Sequence, residues 1–157
     1  MASDVIQLEI TGLDEIKRKL RQFGRKDSKT AAKRALRQAA NLVARNAAER
    51  AKRIDDPATG DKIYKNIADG RKYPGVKFDS GASRRSGNLI YRVGVNKSDK
   101  APGGKTFYWR FVEFGTQKQK AQPFMRPAAI ESAQPAVNAF VLEYGKQVDK
   151  LIKKASG

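Results

Sequence analysis

Residues 28–53 read SKTAAKRALRQAANLVARNAAERAKR. Ala32, Ala35, Leu36, Ala39, Val43 and Ala47, continued by Ile54, keep the 3.6-residue period of a helix that buries one face. Most of these positions are alanine, so helix propensity is high and a neighbouring element can approach closely. On the far side Arg34, Arg45 and Lys52 line up, with Arg37 and Arg53 nearby. The pattern predicts one long helix from Asp27 or Ser28 to Arg53, ended by Asp55-Asp56-Pro57.

Upstream, residues 5–11 alternate Ile6, Leu8 and Ile10 with Gln7, Glu9 and Thr11, which is the pattern of a half-buried strand. Gly12 breaks it, and Leu13, Ile16, Leu20 and Phe23 then share one face of a helix over 13–23, with Gly24 as its stop. Downstream, residues 55–87 hold seven Gly or Pro and few large apolar groups. Val76-Lys77-Phe78 reads as a short strand there. Asn88–Val95 reads as a longer one, with Leu89, Tyr91, Val93 and Val95 on one face. Mobile loops are expected at about 55–62, 79–87 and 96–104. Phe107–Phe114 suits a short helix stopped by Gly115, and residues 117–124 an extended arm, because the residue before Pro123 is pushed out of the helical region. Pro127 can occupy the first turn of a terminal helix. Its apolar stripe runs through Ile130, Val137, Phe140, Val141, Tyr144, Val148, Leu151 and Ile152, and Pro135 sits inside it as a kink site. The order is that of an α+β fold: a small, mainly antiparallel sheet packed against a long N-terminal helix and a C-terminal helix. The 157 residues suggest a single domain over 1–157.

The chain carries 33 Lys and Arg against 16 Asp and Glu, a formal net charge of +17, with neither Cys nor His. Disulfide frameworks, thiolate or imidazole metal sites and histidine-based triads are therefore excluded. No cofactor is implied, and a non-enzyme is the expectation. Apolar runs extend only a few residues, so no membrane partner is expected. The first residues lack the basic and apolar blocks of a secretory signal.

Charge is concentrated. Residues 17–53 hold 14 Lys or Arg and two acids, and residues 62–126 hold 15 and four. Such a balance points to a polyanionic neighbour. For the long helix, a solvated face is the simpler reading than one that tracks phosphates. Ser83-Arg84-Arg85-Ser86, flanked by glycines, suits either a phosphate contact or a tip that orders against a protein. Tyr73, Tyr91, Tyr108 and Trp109 interleave with basic residues and could stack on bases, although Tyr91 and Tyr108 fit core positions better. Asp55, Asp56 and Asp61 lack the spacing of a hard-metal loop. Glu113 is a lone carboxylate among Trp109, Phe111, Val112 and Phe114, near Arg110 and Arg126. A structural tie to arginine or backbone explains it better than catalysis.

One segment is more specific than composition. Tyr108-Trp109-Arg110-Phe111-Val112-Glu113-Phe114-Gly115-Thr116 is followed, after a polar spacer, by Ala121-Gln122-Pro123-Phe124-Met125-Arg126-Pro127-Ala128. This resembles the aromatic–Val-Glu-Phe-Gly-Thr … Pro-Phe-(Leu/Met)-Arg-Pro-Ala signature of a tailed-bacteriophage morphogenesis family, whose members are labelled tail-completion, neck or head–tail joining proteins. The resemblance implies a structural virion protein without catalytic activity, made in the host bacterial cytoplasm and located at the neck or tail top. It implies a homo-oligomeric ring, sixfold by preference and twelvefold as the alternative, through which genomic double-stranded DNA passes. Its partners would be tail-terminator, tail-tube or head-connector proteins. Glu113, Phe114, Gly115, Thr116, Phe124, Met125, Arg126 and Pro127 are then the candidate subunit or partner interface. Packing within the subunit is the simpler reading for Phe114 and Phe124, and both readings stay open for Met125 and Arg126. Arg84, Arg85, Arg34, Arg45 and Lys52 are the candidate DNA or lumen contacts. Charge alone supports a rival, a small basic nucleic-acid-binding architectural protein.

Overall fold

The computed structural model describes residues 12–157, so the strand expected over 5–11 lies outside the described residues. The fold is α+β, with helices α1 (Leu13–Leu20), α2 (Arg25–Ile54), α3 (Ser80–Ser86), α4 (Trp109–Phe114) and α5 (Met125–Ser156). Strands β1 (Val76–Phe78) and β2 (Tyr91–Val93) and a 3-10 turn at Tyr64–Asn66 lie between α2 and α4. Among the described residues two compact units result, one formed by residues 12–39 with Ala133–Gly157, the other by Ala40–Ser132.

In the first unit α1 ends three residues before Phe23, whose N–H closes a turn on the Leu20 carbonyl. Helix α2 begins earlier than the Asp27 or Ser28 expected, because the Ser28 hydroxyl donates back to the Gly24 carbonyl instead of capping. Ile16, Ala31, Ala35, Ala39 and Val148 are buried. Lys19 reaches Glu15 at 3.3 Å and Asp149 at 3.4 Å. Both pairs are exposed to water and screened, so packing of the small apolar residues dominates.

In the second unit Ala44, Ala47, Ala48 and Ala51 of α2 pack with Ile63, Ile67, Ala68, Val95, Phe124 and Ala128. The buried face of α2 is therefore turned from the expected stripe: Ala35, Ala39 and Ala47 hold their places, while Ala32, Leu36 and Val43 are only half-buried. Leu36 and Val43 weight the sequence pattern toward themselves, but neighbours come closest over alanine. In the same way Ile130, expected on the buried stripe of α5, is 46% exposed.

β1 and β2 pair antiparallel, with Val76 opposite Val93 and Phe78 opposite Tyr91. The Phe78 and Tyr91 rings are 5.3 Å apart, while Val76 and Val93 pack on the core. A two-stranded ribbon is marginal alone, so this contact sustains it. The strand expected over 88–95 is cut to its paired residues. The loop expected at 79–87 is instead α3: Asp79 accepts the Ala82 N–H at 2.8 Å, and Gly87, at φ 76°, closes the far end. The Asp79 carboxyl is held below its usual range by that N–H and by Arg92.

The segment over 96–104 is irregular, as expected, yet it is tied to a buried polar hub. Asn66 donates to the Gly104 carbonyl at 2.9 Å and to Thr106 Oγ1 at 2.7 Å, and accepts the Gly103 N–H at 2.6 Å. A Cβ on Gly103 would stand 2.0 Å from the Lys62 carbonyl oxygen, so only glycine fits there. Replacing Asn66 by Leu leaves the buried Gly103 N–H and Thr106 hydroxyl and the half-buried Gly104 carbonyl without this partner, and each buried group left unpaired costs about 1–3 kcal/mol. Urea unfolding of Asn66→Leu should therefore show a loss of at least about 2 kcal/mol.

Candidate functional site

The aromatic segment forms α4, and its C-terminal stop is Gly115, whose N–H bonds the Phe111 carbonyl at 2.9 Å. Gly115 sits at φ 74°, ψ 173°, a region open essentially to glycine alone. A Cβ there would lie 2.7 Å from the Ala121 nitrogen. Thr116 then folds the spacer back: its Oγ1 accepts the N–H groups of Lys118 and Gln119, and its own N–H bonds the Gln119 carbonyl. The Gln122 N–H returns to the Val112 carbonyl at 2.8 Å.

This turn delivers the start of α5 onto the Glu113 carboxylate. Oε2 accepts the N–H of Phe124 at 2.7 Å and of Met125 at 2.9 Å, and Oε1 accepts that of Arg126 at 3.0 Å. Those N–H groups would otherwise be left without intrahelical acceptors, and Pro127, next in line, has none to satisfy. The first turn of α5 contains no acid of its own, so a carboxylate from α4 supplies the negative charge that the helix dipole favours. The Arg126 guanidinium adds contacts to Glu113 Oε1 and to its carbonyl oxygen, both at 3.3 Å, and lies 5.0 Å from the centre of the Phe114 ring. Glu113 is 1% exposed. Burial by itself would raise its pKa; the N–H groups of Met125, Phe124 and Arg126, with the Arg126 side chain, outweigh that and hold it below the usual range.

The signature thus divides into two sets. Glu113, Gly115, Thr116 and Pro127 shape the clamp, Phe124 is 0% exposed against Trp109, and Met125 is half-buried on the core. Glu113 and Phe124 are closed off from the surface, whereas Gly115 and Pro127 are half-buried and Thr116 is exposed. Phe114, expected to pack inside the subunit, is instead 61% exposed, with Phe111 at 53% and Phe107 at 69%. The helical spacing of these three rings was legible in the sequence, but which way they face was not. Arg126 is 57% exposed, at the boundary between clamp and surface.

The candidate DNA contacts are less concentrated. Arg84 and Arg85 are exposed, but on the last turn of α3 rather than on a loop, where cations favour the helix dipole. Arg45 donates to the Tyr73 hydroxyl and Lys52 Nζ lies 5.6 Å from the Tyr64 ring centre, so both are partly engaged within the chain. Arg34 lies 3.5 Å from Gln147 Oε1. The acids near the end of α2 hold backbone: Asp55 accepts from Ile63 and Tyr64, Asp56 from Ala58, and Asp61 from Lys105. Among the described residues no group of three or more His, Cys, Asp or Glu could hold a metal, and no helix is long and apolar enough to cross a membrane.

Two predictions follow from the clamp. Glu113→Gln replaces an acceptor-only group by one that must turn a donor toward an N–H, and should lower stability by about 2–4 kcal/mol at neutral pH. A carboxylate whose folded pKa is depressed contributes stability above the unfolded value and loses it as pH falls through the folded one. The gap between native chain and Glu113→Gln in denaturant titrations should therefore be full at neutral pH and close as pH falls through and below the ordinary carboxylate range. Gly115→Ala should cost at least about 1–3 kcal/mol from backbone conformation alone, read as a lowered unfolding midpoint.

The family described as "Bacteriophage HK97-gp10, putative tail-component" matches residues 14–115, which run from α1 through Glu113 and Gly115. Nothing matches among the curated proteins or among the solved structures. The match covers well over half of the chain, and the chain belongs to the HK97-gp10-like family of phage tail components.

Proposed function

We propose that the chain is a structural, non-catalytic subunit of the phage neck or tail top, which assembles into a ring, completes the tail and joins it to the DNA-filled head. The observation that carries this reading is membership in a tail-component family by a chain with three large aromatic rings more than half exposed, two on one short helix and one in the turn just before it. Exposed apolar surface on a rigid element marks a site that another protein covers. A ring of identical subunits needs two different patches on each, so that association closes on itself. Six subunits would match a tail tube, and twelve a portal; both follow from architectural analogy.

The test is genetic and structural. Phage carrying an early stop codon in this chain should accumulate filled heads and separate tails, seen by electron microscopy, and purified chain added to the lysate should restore joined, infectious particles. Joined particles formed in the absence of the chain would overturn the reading.

A further inference from the structure

Phe111 and Phe114 of α4, with Phe107 in the turn before it, stand near a groove whose lining includes Trp109 and Arg110 of the same helix. Within α4, at about 100° per residue, Phe111 and Phe114 fall about 60° apart and Arg110 borders Phe114. The Arg126 guanidinium lies over Phe114. Arg110 lines this groove of about 700 Å³ together with Lys77, Arg92, Lys97 and Trp109. Fully covered aromatic side chains bury about 150–250 Å² each, so three that are some six-tenths exposed offer about 350 Å². A stable interface needs about 800 Å² per partner, so the occupant must extend beyond the rings, and the groove is where it can.

We infer that this surface docks an acidic, apolar-centred surface of a different virion protein. Charge complementarity selects that occupant. Residues 100–130 carry six Lys or Arg and a single acid, Glu113, which is buried in the clamp. Two copies meeting through this face would oppose cation to cation, which costs affinity. Another region of a second copy serves no better. Among the described acids, Asp55, Asp56 and Asp61 hold backbone groups, Asp79, Glu131, Asp149 and Glu15 already pair with Arg92, Arg50 and Lys19, Glu143 accepts from Gln147, and the exposed Asp14, Asp27, Glu49, Asp69 and Asp99 each stand within four residues of at least two Lys or Arg. Duplex DNA satisfies the cations but not the rings, because its bases are stacked inside and phosphates would face the phenyl groups. An acidic protein surface satisfies both, with phenylalanine anchors at the centre and arginine at the rim.

The inference rests on the chain being a tail component, and the experiment separates the two. p-Benzoylphenylalanine placed at Phe111, and separately at Phe107, is photo-activated in purified particles, and the adducts are identified by mass spectrometry. Both sites are mostly in water, so the substituted chains should melt as the native one does. The expected result is an adduct to a different virion protein through a peptide rich in Asp and Glu. Adding Arg110→Glu should reduce its yield about tenfold, since opposed like charges weaken association. Adducts only to a second copy, to DNA or to a basic peptide, or none from particles that contain the chain, would overturn the inference alone. Particles that lack the chain altogether would overturn the proposed function with it.

Discussion

A single carboxylate holds the second unit's most informative segment in place. Glu113 is buried and charged, and a buried charge is tolerable only when nearly all its hydrogen-bonding capacity is met. Three successive N–H groups at the start of α5 and one guanidinium meet it. The satisfaction is mutual, because those N–H groups have no intrahelical partner of their own. The same contact fixes where α5 begins, where the intervening turn must close, and which side of α4 is covered. With Glu113 and Trp109 directed to the interior, the 3.6-residue period leaves Phe111 and Phe114 to the solvent. An interior electrostatic requirement therefore decides the exterior surface.

The core around this clamp is made from small parts. Alanines of α2 permit close approach, while Phe124, Ile63 and Ile67 fill the space over them. The long connecting segments have few apolar anchors beyond Ile63, Ile67, Val95 and Ala101, and polar hubs supplement them. Asn66 secures residues 103–106, Asp55 secures the turn at Ile63 and Tyr64, and Thr116 organises the turn after α4. Buried or half-buried polar groups of this sort specify one conformation when every member is paired. Irregular segments can then be ordered without regular secondary structure.

The large excess of cations has a different role from the internal ties. Acids number 16 against 33 Lys and Arg, so the surface carries a strong positive field that speeds encounter with negatively charged partners. Solvated cations and exposed rings together suit a subunit that waits for another component of the particle. The charge governs approach, and the aromatic face supplies the contact that persists once water is excluded.

The amino-acid sequence alone determined the local and the compositional features. The period of α2 and α5, the helix stop at Gly115, the short strand at Val76–Phe78 and the α+β order follow from spacing and backbone preference, and the absence of Cys and His excludes whole classes of chemistry. Glu113 was legible as a structural tie because a lone acid among aromatic residues needs a partner. Tertiary structure alone decided the rest. Leu36 and Val43 are apolar at helical spacing yet only half-buried, and Ile130 is exposed, since the face a helix buries depends on where its neighbours come closest. The segment after Asp79 is helical because a cap at each end, with Ser83 holding Ile90, outweighs its glycine and serine content. The exposure of Phe114 beside the burial of Glu113 is the clearest case. Periodicity defines two faces of a helix, and only the long-range contact with α5 selects which of them meets water.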